Sequence, residues 1–330
     1  SVNISSAPVL VSNNPLTLNE EGSAIIRNSL LRVTDSDTPN SQLIYTVGNA
    51  TRNGNLLING VTATAGTTFT QVNLEDPSQV RYVHNGSETT SDRFSFTVSD
   101  GTGGSITNQT FSIQVNPVND APILVSNNGI ALSEGDGAVL TPVMLLISDV
   151  DSPAVSLQYS ITNLPTNGTL LLAGTATNTF TQNDIFSGLV RYQHNGSEAP
   201  FDRFTFTVTD GAILLPGSNT FNISVLPVND APRVSINTAL TVSEGTGATI
   251  TSNFLLTTDA DGPAPVAYTL GSSPANGVLK LGTATLQAGQ TFTQLDIANG
   301  QLTYIHNGGE TTSDGRNLGG DYFQHLRVGD

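Results

Sequence analysis

Asp202-Arg203-Phe204-Thr205-Phe206-Thr207-Val208-Thr209-Asp210-Gly211 carries apolar side chains at every second position, with polar ones between. A period of two marks a β-strand with one buried face, and Asp-Gly supplies a turn at its end. The same stretch stands earlier as Asp92-Arg93-Phe94-Ser95-Phe96-Thr97-Val98-Ser99-Asp100-Gly101, a displacement of 110 residues. Just upstream, Arg81-Tyr82-Val83-His84-Asn85-Gly86-Ser87-Glu88 returns as Arg191-Tyr192-Gln193-His194-Asn195-Gly196-Ser197-Glu198, and in weaker form as Tyr304-Ile305-His306-Asn307-Gly308-Gly309-Glu310. Downstream, Val118-Asn119-Asp120-Ala121-Pro122 returns as Val228-Asn229-Asp230-Ala231-Pro232. A period of this size is too long for a solenoid unit and fits one small independent domain. The chain reads as three tandem repeats, residues 1–120, 121–230 and 231–330.

Within the second repeat, strands fit 130–132, 139–147, 157–161, 170–172, 189–192, 203–209 and 221–225. Seven short strands separated by Gly, Pro, Asn and Asp clusters predict an all-β fold, three Ig-like Greek-key β-sandwiches stacked end to end. No segment sustains a 3.6-residue period with caps, so helices should be short or absent.

Lys and Arg number 11 against 27 Asp and Glu, a formal net charge of −16. That balance argues against nucleic acid or an anionic membrane as partner. With no cysteine in the chain, disulfides and thiolate-based zinc sites are excluded. No apolar run is long enough to span a bilayer, and no signal peptide is seen, so the chain reads as a mature product or a segment of something longer.

His84, His194 and His306 precede an Asn-Gly or equivalent turn in every repeat. A residue required in every copy serves the fold, because catalysis needs only one site. These rings are expected to pack beside the turn, bonded to backbone. No Ser/His/Asp order, paired-carboxylate pocket or phosphate-binding loop stands outside the repeated elements, so an enzyme is not expected.

Much of the acidity sits at repeated positions. Aspartate pairs fall at Asp35/Asp37, Asp149/Asp151 and Asp259/Asp261, and a glutamate opens each repeat at Glu20, Glu134 and Glu244. Carboxylates gathered within about 4–6 Å of one another repel unless a cation lies among them. Hard oxygen ligands suit Ca²⁺ better than Mg²⁺, which keeps its waters.

Pro-Val-Asn-Asp-Ala-Pro linkers, Asp-x-Asp loops, an opening glutamate and a closing Asp-Gly resemble the cadherin superfamily. The Tyr-x-His-Asn-Gly-Ser and Asp-x-Phe-x-Phe-x-Val-x-Asp-Gly runs are similar to the cadherin-like repeat of the chondroitin-sulfate-proteoglycan class (the NG2/FREM type), also common in very large bacterial surface proteins. The resemblance covers essentially the whole chain. It implies two complete Ca²⁺ junctions, one of Glu20, Asp100, Asn119, Asp120, Asp149 and Asp151, the other of Glu134, Asp210, Asn229, Asp230, Asp259 and Asp261. The linkers lack the leading aspartate and second asparagine of cadherins, so fewer ions per junction are expected. Asp35/Asp37 and Glu244/Asp330 should form half-built sites.

The third repeat reads as lacking its last strand, while Val2-Asn3-Ile4-Ser5 resembles Phe221-Asn222-Ile223-Ser224. Either the chain is a window on a longer array, or residues 1–8 of one copy complete the third repeat of the next, building a filament. The function expected is that of a non-catalytic, Ca²⁺-stiffened extracellular rod, in a cell-surface adhesin or surface filament. Its partners would be neighbouring repeats or copies of itself, and a cell-surface protein or glycan. The alternative is an array of carbohydrate-binding modules, disfavoured by the absence of Trp and the 7 Tyr in 330 residues. Asn-x-Ser/Thr triplets begin at Asn3, Asn49, Asn85, Asn108, Asn167, Asn195 and Asn222.

Overall fold

The computed structural model describes residues 6–262, 266–311, 313–317 and 323–329. The second repeat shows the plan. A five-stranded sheet runs in the order Ile130–Ser133, Asn219–Leu226, Phe201–Thr209, Gln158–Asn163, Thr179–Thr181. A four-stranded sheet runs Gly137–Val139, Val190–His194, Gly168–Leu172, Thr175–Ala176. Pairings are antiparallel except that Ile130–Ser133 lies parallel to the last strand, Asn219–Leu226. Ile123–Asn127 pairs with Leu145–Ser148 to form a separate ribbon. The segment expected as one strand over 139–147 is two, because Thr141–Met144 makes a turn in which the N–H groups of Met144 and Leu145 bond the Thr141 carbonyl. The helices are single five-residue turns, Gln71–Glu75, Gln182–Phe186 and Gln294–Ala298, each entered through a capping box on the preceding threonine.

The period-two pattern delivers the core. Phe204, Phe206 and Val208 are completely buried, beside Tyr159, Tyr192 and Phe221. Burying each such side chain is worth about 1.5–3 kcal/mol. The Tyr192 hydroxyl donates to Asp202 Oδ2 at 2.8 Å. Asp202 also accepts the backbone N–H groups of Thr166, Asn167 and Arg203, so the charge under the sheet is held by several donors. The first repeat repeats this with Tyr82 and Asp92, the third with Tyr304 and Asp314. Gly168 lies flat against the ring: a Cβ there would sit 2.4 Å from Tyr192 Cζ.

The third repeat differs from expectation. Phe323–Gly329 lies parallel to Thr241–Ser243 and antiparallel to Ser313–Asn317, the place that Asn219–Leu226 takes in the second repeat. The last strand is therefore present, and the slot for a donated strand is filled from within the chain. What is shortened is the strand before it. Asp314 takes the role of Asp202, but Gly315-Arg316-Asn317 follow where Arg203-Phe204-Thr205 stand, and the strand has five residues in place of nine. Without the Phe-x-Phe-x-Val run, the final pair of strands loses its sequence signature. The proposed donor, Val2-Asn3-Ile4-Ser5, lies outside the described residues.

Candidate cation sites at the repeat junctions

The strand that ends in Asp-Gly decides which carboxylates meet. Phe201–Thr209 starts just after Glu198 and spans nine residues, roughly 30 Å. Its closing aspartate, Asp210, therefore reaches the opposite pole of its own repeat, facing the linker that precedes it. There Asn119 Nδ2 donates to Asp210 Oδ2 at 2.7 Å. Asp210 thus belongs to the first junction, where the sequence reading put Asp100. Asp100 in turn lies one repeat earlier, in a loop packed on Ala7 and Pro8, its Oδ1 accepting the N–H groups of Thr102, Gly103 and Gly104. These donors hold the Asp100 carboxyl below its usual range, led by Thr102. The Asn119 amide does the same for Asp210.

The other first-junction residues converge. The Asp120 N–H donates to Asp151 Oδ2 at 2.7 Å, tying the linker to the Asp-x-Asp loop of the second repeat. Asp149 Oδ1 organises that loop by accepting the Asp151 and Ser152 N–H groups, both at 2.9 Å. Glu20 is 6 % exposed, and its Oε2 accepts the Val118 N–H at 3.3 Å. Two carboxylate oxygens here, Glu20 Oε1 and Asp149 Oδ2, are buried with no hydrogen-bond partner.

Glu88 completes the group and was not foreseen. Carboxylate oxygens of Glu88, Asp120 and Asp151 all lie within 4.8 Å of one another. Desolvation, then the Asp151 carboxylate and Glu20, push Glu88 up to about 7. Asp120 is raised too, by desolvation and by Glu21, Asp151, Glu20 and Asp149. The signal was available: Glu88, Glu198 and Glu310 each close the recurring His-Asn-Gly segment. The second junction repeats the plan. Glu134, Glu198 and Asp230 bring carboxylate oxygens within 4.8 Å of one another. The Asp230 N–H bonds Asp261 Oδ2 at 2.6 Å, and the Asp261 N–H bonds Asp259 Oδ1 at 3.1 Å. Asn229 Nδ2 bonds the Asp230 carbonyl at 2.9 Å. Glu198 is raised by desolvation, then by Glu134, Asp261 and Asp230.

Asp35 and Asp37 close on Ser6, near the start of the first repeat. Ser6 donates its N–H to Asp37 Oδ2 at 3.0 Å and its hydroxyl to Asp35 Oδ1 at 3.1 Å. Asp330, expected beside Glu244, lies outside the described residues.

The histidines hold the loop that carries Glu88. His84 Nδ1 accepts the N–H groups of Glu21 and Gly86, at 3.4 and 3.3 Å, and Nε2 meets Thr89 Oγ1 at 3.0 Å. His194 and His306 accept two backbone N–H groups in the same way. Gly86, at φ +77°, makes the turn beside the ring.

Among the described residues no helix is long and apolar enough to cross a membrane. The human extracellular matrix organizing protein FRAS1 is 34% identical over 91% of this chain and 8% of its own length. Human chondroitin sulfate proteoglycan 4 is 29% identical over 71% of this chain and 10% of its own length. The chain thus spans about a tenth of the curated relatives it matches. Mouse protocadherin-24 EC1-3 aligns over 97% of this chain and 98% of its own, at 13% identity and a TM-score of 0.43. The family described as cadherin-like matches three times in succession, over residues 8–115, 122–225 and 232–318, and the chain belongs to that family.

Proposed function

We propose that this chain is a segment of an extracellular rod, non-catalytic, whose two inner junctions are stiffened by Ca²⁺. One observation carries the reading: at each junction, carboxylates from the end of one repeat, the linker and the start of the next crowd within a few ångströms. Carboxylates within 4.8 Å of one another repel, and that repulsion adds to desolvation in raising Glu88 and Glu198. A cation reverses the sign of that term. The partnerless Glu20 Oε1 and Asp149 Oδ2 offer ready oxygen ligands, and the all-oxygen donor set suits a hard ion that takes six to eight ligands. Glu20, Glu88, Asp120, Asp149, Asp151 and Asp210 would hold the first ion or ions, with Asn119 orienting Asp210. Glu134, Glu198, Asn229, Asp230, Asp259 and Asp261 would serve the second junction.

Kinship with matrix proteins supports an extracellular location, as part of a cell-surface adhesin or matrix assembly, and contact with neighbouring repeats, further copies, or cell-surface proteins and glycans. The filled strand slot in the third repeat favours end-to-end stacking over strand donation as the way repeats are joined.

The test is thermal unfolding and small-angle scattering with Ca²⁺, then after chelation. At an affinity of about 10⁻⁴–10⁻³ M and tenfold excess ion, each site adds about 1.4 kcal/mol. Chelation should shorten the particle's maximum dimension and lower the unfolding temperature, and Glu88→Gln should weaken the response. A scattering curve and melting profile indifferent to both would sink the proposal.

A further inference from the structure

The first repeat carries a hollow of about 620 Å³ on the solvent face of its five-stranded sheet, lined by none of the junction carboxylates. Its floor is Arg93, Ser95 and Thr110, and its wall is the loop 49–53 that follows Ile44–Val47. Ser95 ties floor to wall: its hydroxyl oxygen accepts the Asn49 N–H at 2.7 Å, and its own N–H bonds the Asn49 carbonyl at 3.0 Å.

Two arginines, Arg52 and Arg93, are among the residues lining this hollow, and both are exposed. The one carboxylate lining it is Asp92, 8 % exposed, whose oxygens already accept the Tyr82 hydroxyl and the N–H groups of Arg52, Asn53 and Arg93. Among the described residues neither guanidinium has an acidic partner, in a chain with 27 acidic residues against 11 basic ones. Planar fork-shaped guanidinium donors are suited to a carboxylate or sulfate group. Around them stand the amides of Asn49 and Asn53 and the hydroxyls of Ser95 and Thr110, a lining that suits a hydroxyl-rich ligand.

The second repeat supplies an internal comparison. Its corresponding hollow, about 850 Å³, has Thr166 in place of Arg52 and Leu164 in place of Ala50, with Phe201 in place of Ser91. It keeps one arginine, Arg203, and exposes Leu164 by 57% and Phe201 by 68%. The two-arginine polar lining therefore belongs to the first repeat and is not a requirement of the fold.

We infer that the hollow between loop 49–53 and the strand Ser91–Ser99 of the first repeat binds an anionic glycan, with Arg52 and Arg93 gripping a sugar carboxylate or sulfate. The volume admits one or two sugar rings.

Calorimetric titration of the full chain tests this, with protein made in a bacterium so that Asn49 is unmodified, in saturating Ca²⁺ and at physiological salt. The probes are a heparin hexasaccharide (sulfate and carboxylate), a hyaluronan hexasaccharide (carboxylate only), maltohexaose and hexaglutamate. Heparin, hyaluronan or both should bind, and which of them does identifies the anionic group. Arg52→Thr should weaken binding about tenfold and Arg52→Thr/Arg93→Thr about a hundredfold, while Arg203→Thr changes nothing. Arg52→Lys, which keeps the charge and loses the fork, should fall between wild type and Arg52→Thr. Unfolding profiles matching wild type would show that the exposed arginines are dispensable for folding. Equal binding of maltohexaose or hexaglutamate, an equal loss in Arg203→Thr, or no binding of either anionic glycan at millimolar concentration overturns the inference. Because Ca²⁺ is present throughout, such a failure leaves the junction reading untouched.

Discussion

Replacing Ala199 by threonine should stabilise the second repeat. In the first repeat, Thr89 Oγ1 lies 3.0 Å from His84 Nε2 and 3.0 Å from Ser87 Oγ. In the third, Thr311 Oγ1 lies 3.0 Å from His306 Nε2. The second repeat has Ala199 at this position, and there His194 Nε2 and Ser197 Oγ are both buried without a partner. Because His194 Nδ1 accepts the N–H groups of Gly135 and Gly196, the ring proton resides on Nε2 and is the orphaned donor. A buried unmade hydrogen bond costs about 1–3 kcal/mol, and a made one returns about 0.5–1.5. Some of the gain is offset by ordering the new side chain. The β-branched residue suits the extended backbone favoured before Pro200. The expected gain is about 1–2 kcal/mol, or about 5–10 °C in the unfolding temperature of a domain this size. Scanning calorimetry reads the shift, and hydrogen exchange on the strand Val190–His194 assigns it to the second repeat. The reciprocal change, Thr89→Ala, should lower the first repeat by a similar amount. An unmoved transition in Ala199→Thr, with no loss in Thr89→Ala, would refute the account.

Three further outcomes follow from the junctions and the core. Glu88 has its folded-state value raised to about 7, above the ordinary carboxylate range, so without Ca²⁺ the folded junction holds a proton that the unfolded chain has already released, and stability falls as pH climbs from about 5 to 7. Melting in chelator at pH 5 and at pH 7.5 should show this slope, and Glu88→Gln should flatten it. Asp210→Asn should reduce Ca²⁺ binding at the first junction and spare the second, which titration of single-junction fragments, 1–230 and 121–330, separates once each is shown to fold. If the second junction weakened instead, the pole assigned to Asp210 would be wrong. Gly168→Ala should cost the second repeat about 1–3 kcal/mol by forcing Tyr192 off Asp202, measured by denaturant unfolding.

The sheet pattern was legible because period-two runs such as Phe204-Thr205-Phe206-Thr207-Val208 write burial directly into the sequence. The acidic residues of the linker and the Asp-x-Asp loops were legible for a related reason: they recur, and neighbouring positions in sequence stay neighbours in a loop. The position of Asp210 was not, since which pole a residue occupies depends on strand direction, a property of the assembled sheet. Glu88 escaped because its motif looked like a turn with a histidine, and its nearness to Asp120 and Asp151 is visible only in the assembled junction. The last strand of the third repeat was hidden by the loss of the aromatic run ahead of it, which removes the landmark that fixes the alignment.

The nine-residue strands Ser91–Ser99 and Phe201–Thr209 give the first and second repeats two unlike ends. One end presents an Asp-x-Asp loop and a closing aspartate; the other presents an opening glutamate and the Ser-Glu turn. Such ends are plug and socket, so repeats join in one direction only, and any plug meets an equivalent socket. Excising residues 121–230 would bring Glu20 and Glu88 against Asp259 and Asp261, the counterparts of Asp149 and Asp151, across the same Asn-Asp-Ala-Pro linker. Length can therefore change by whole repeats, through duplication or loss of gene segments, with linker and Asp-x-Asp loop still matched at the seam.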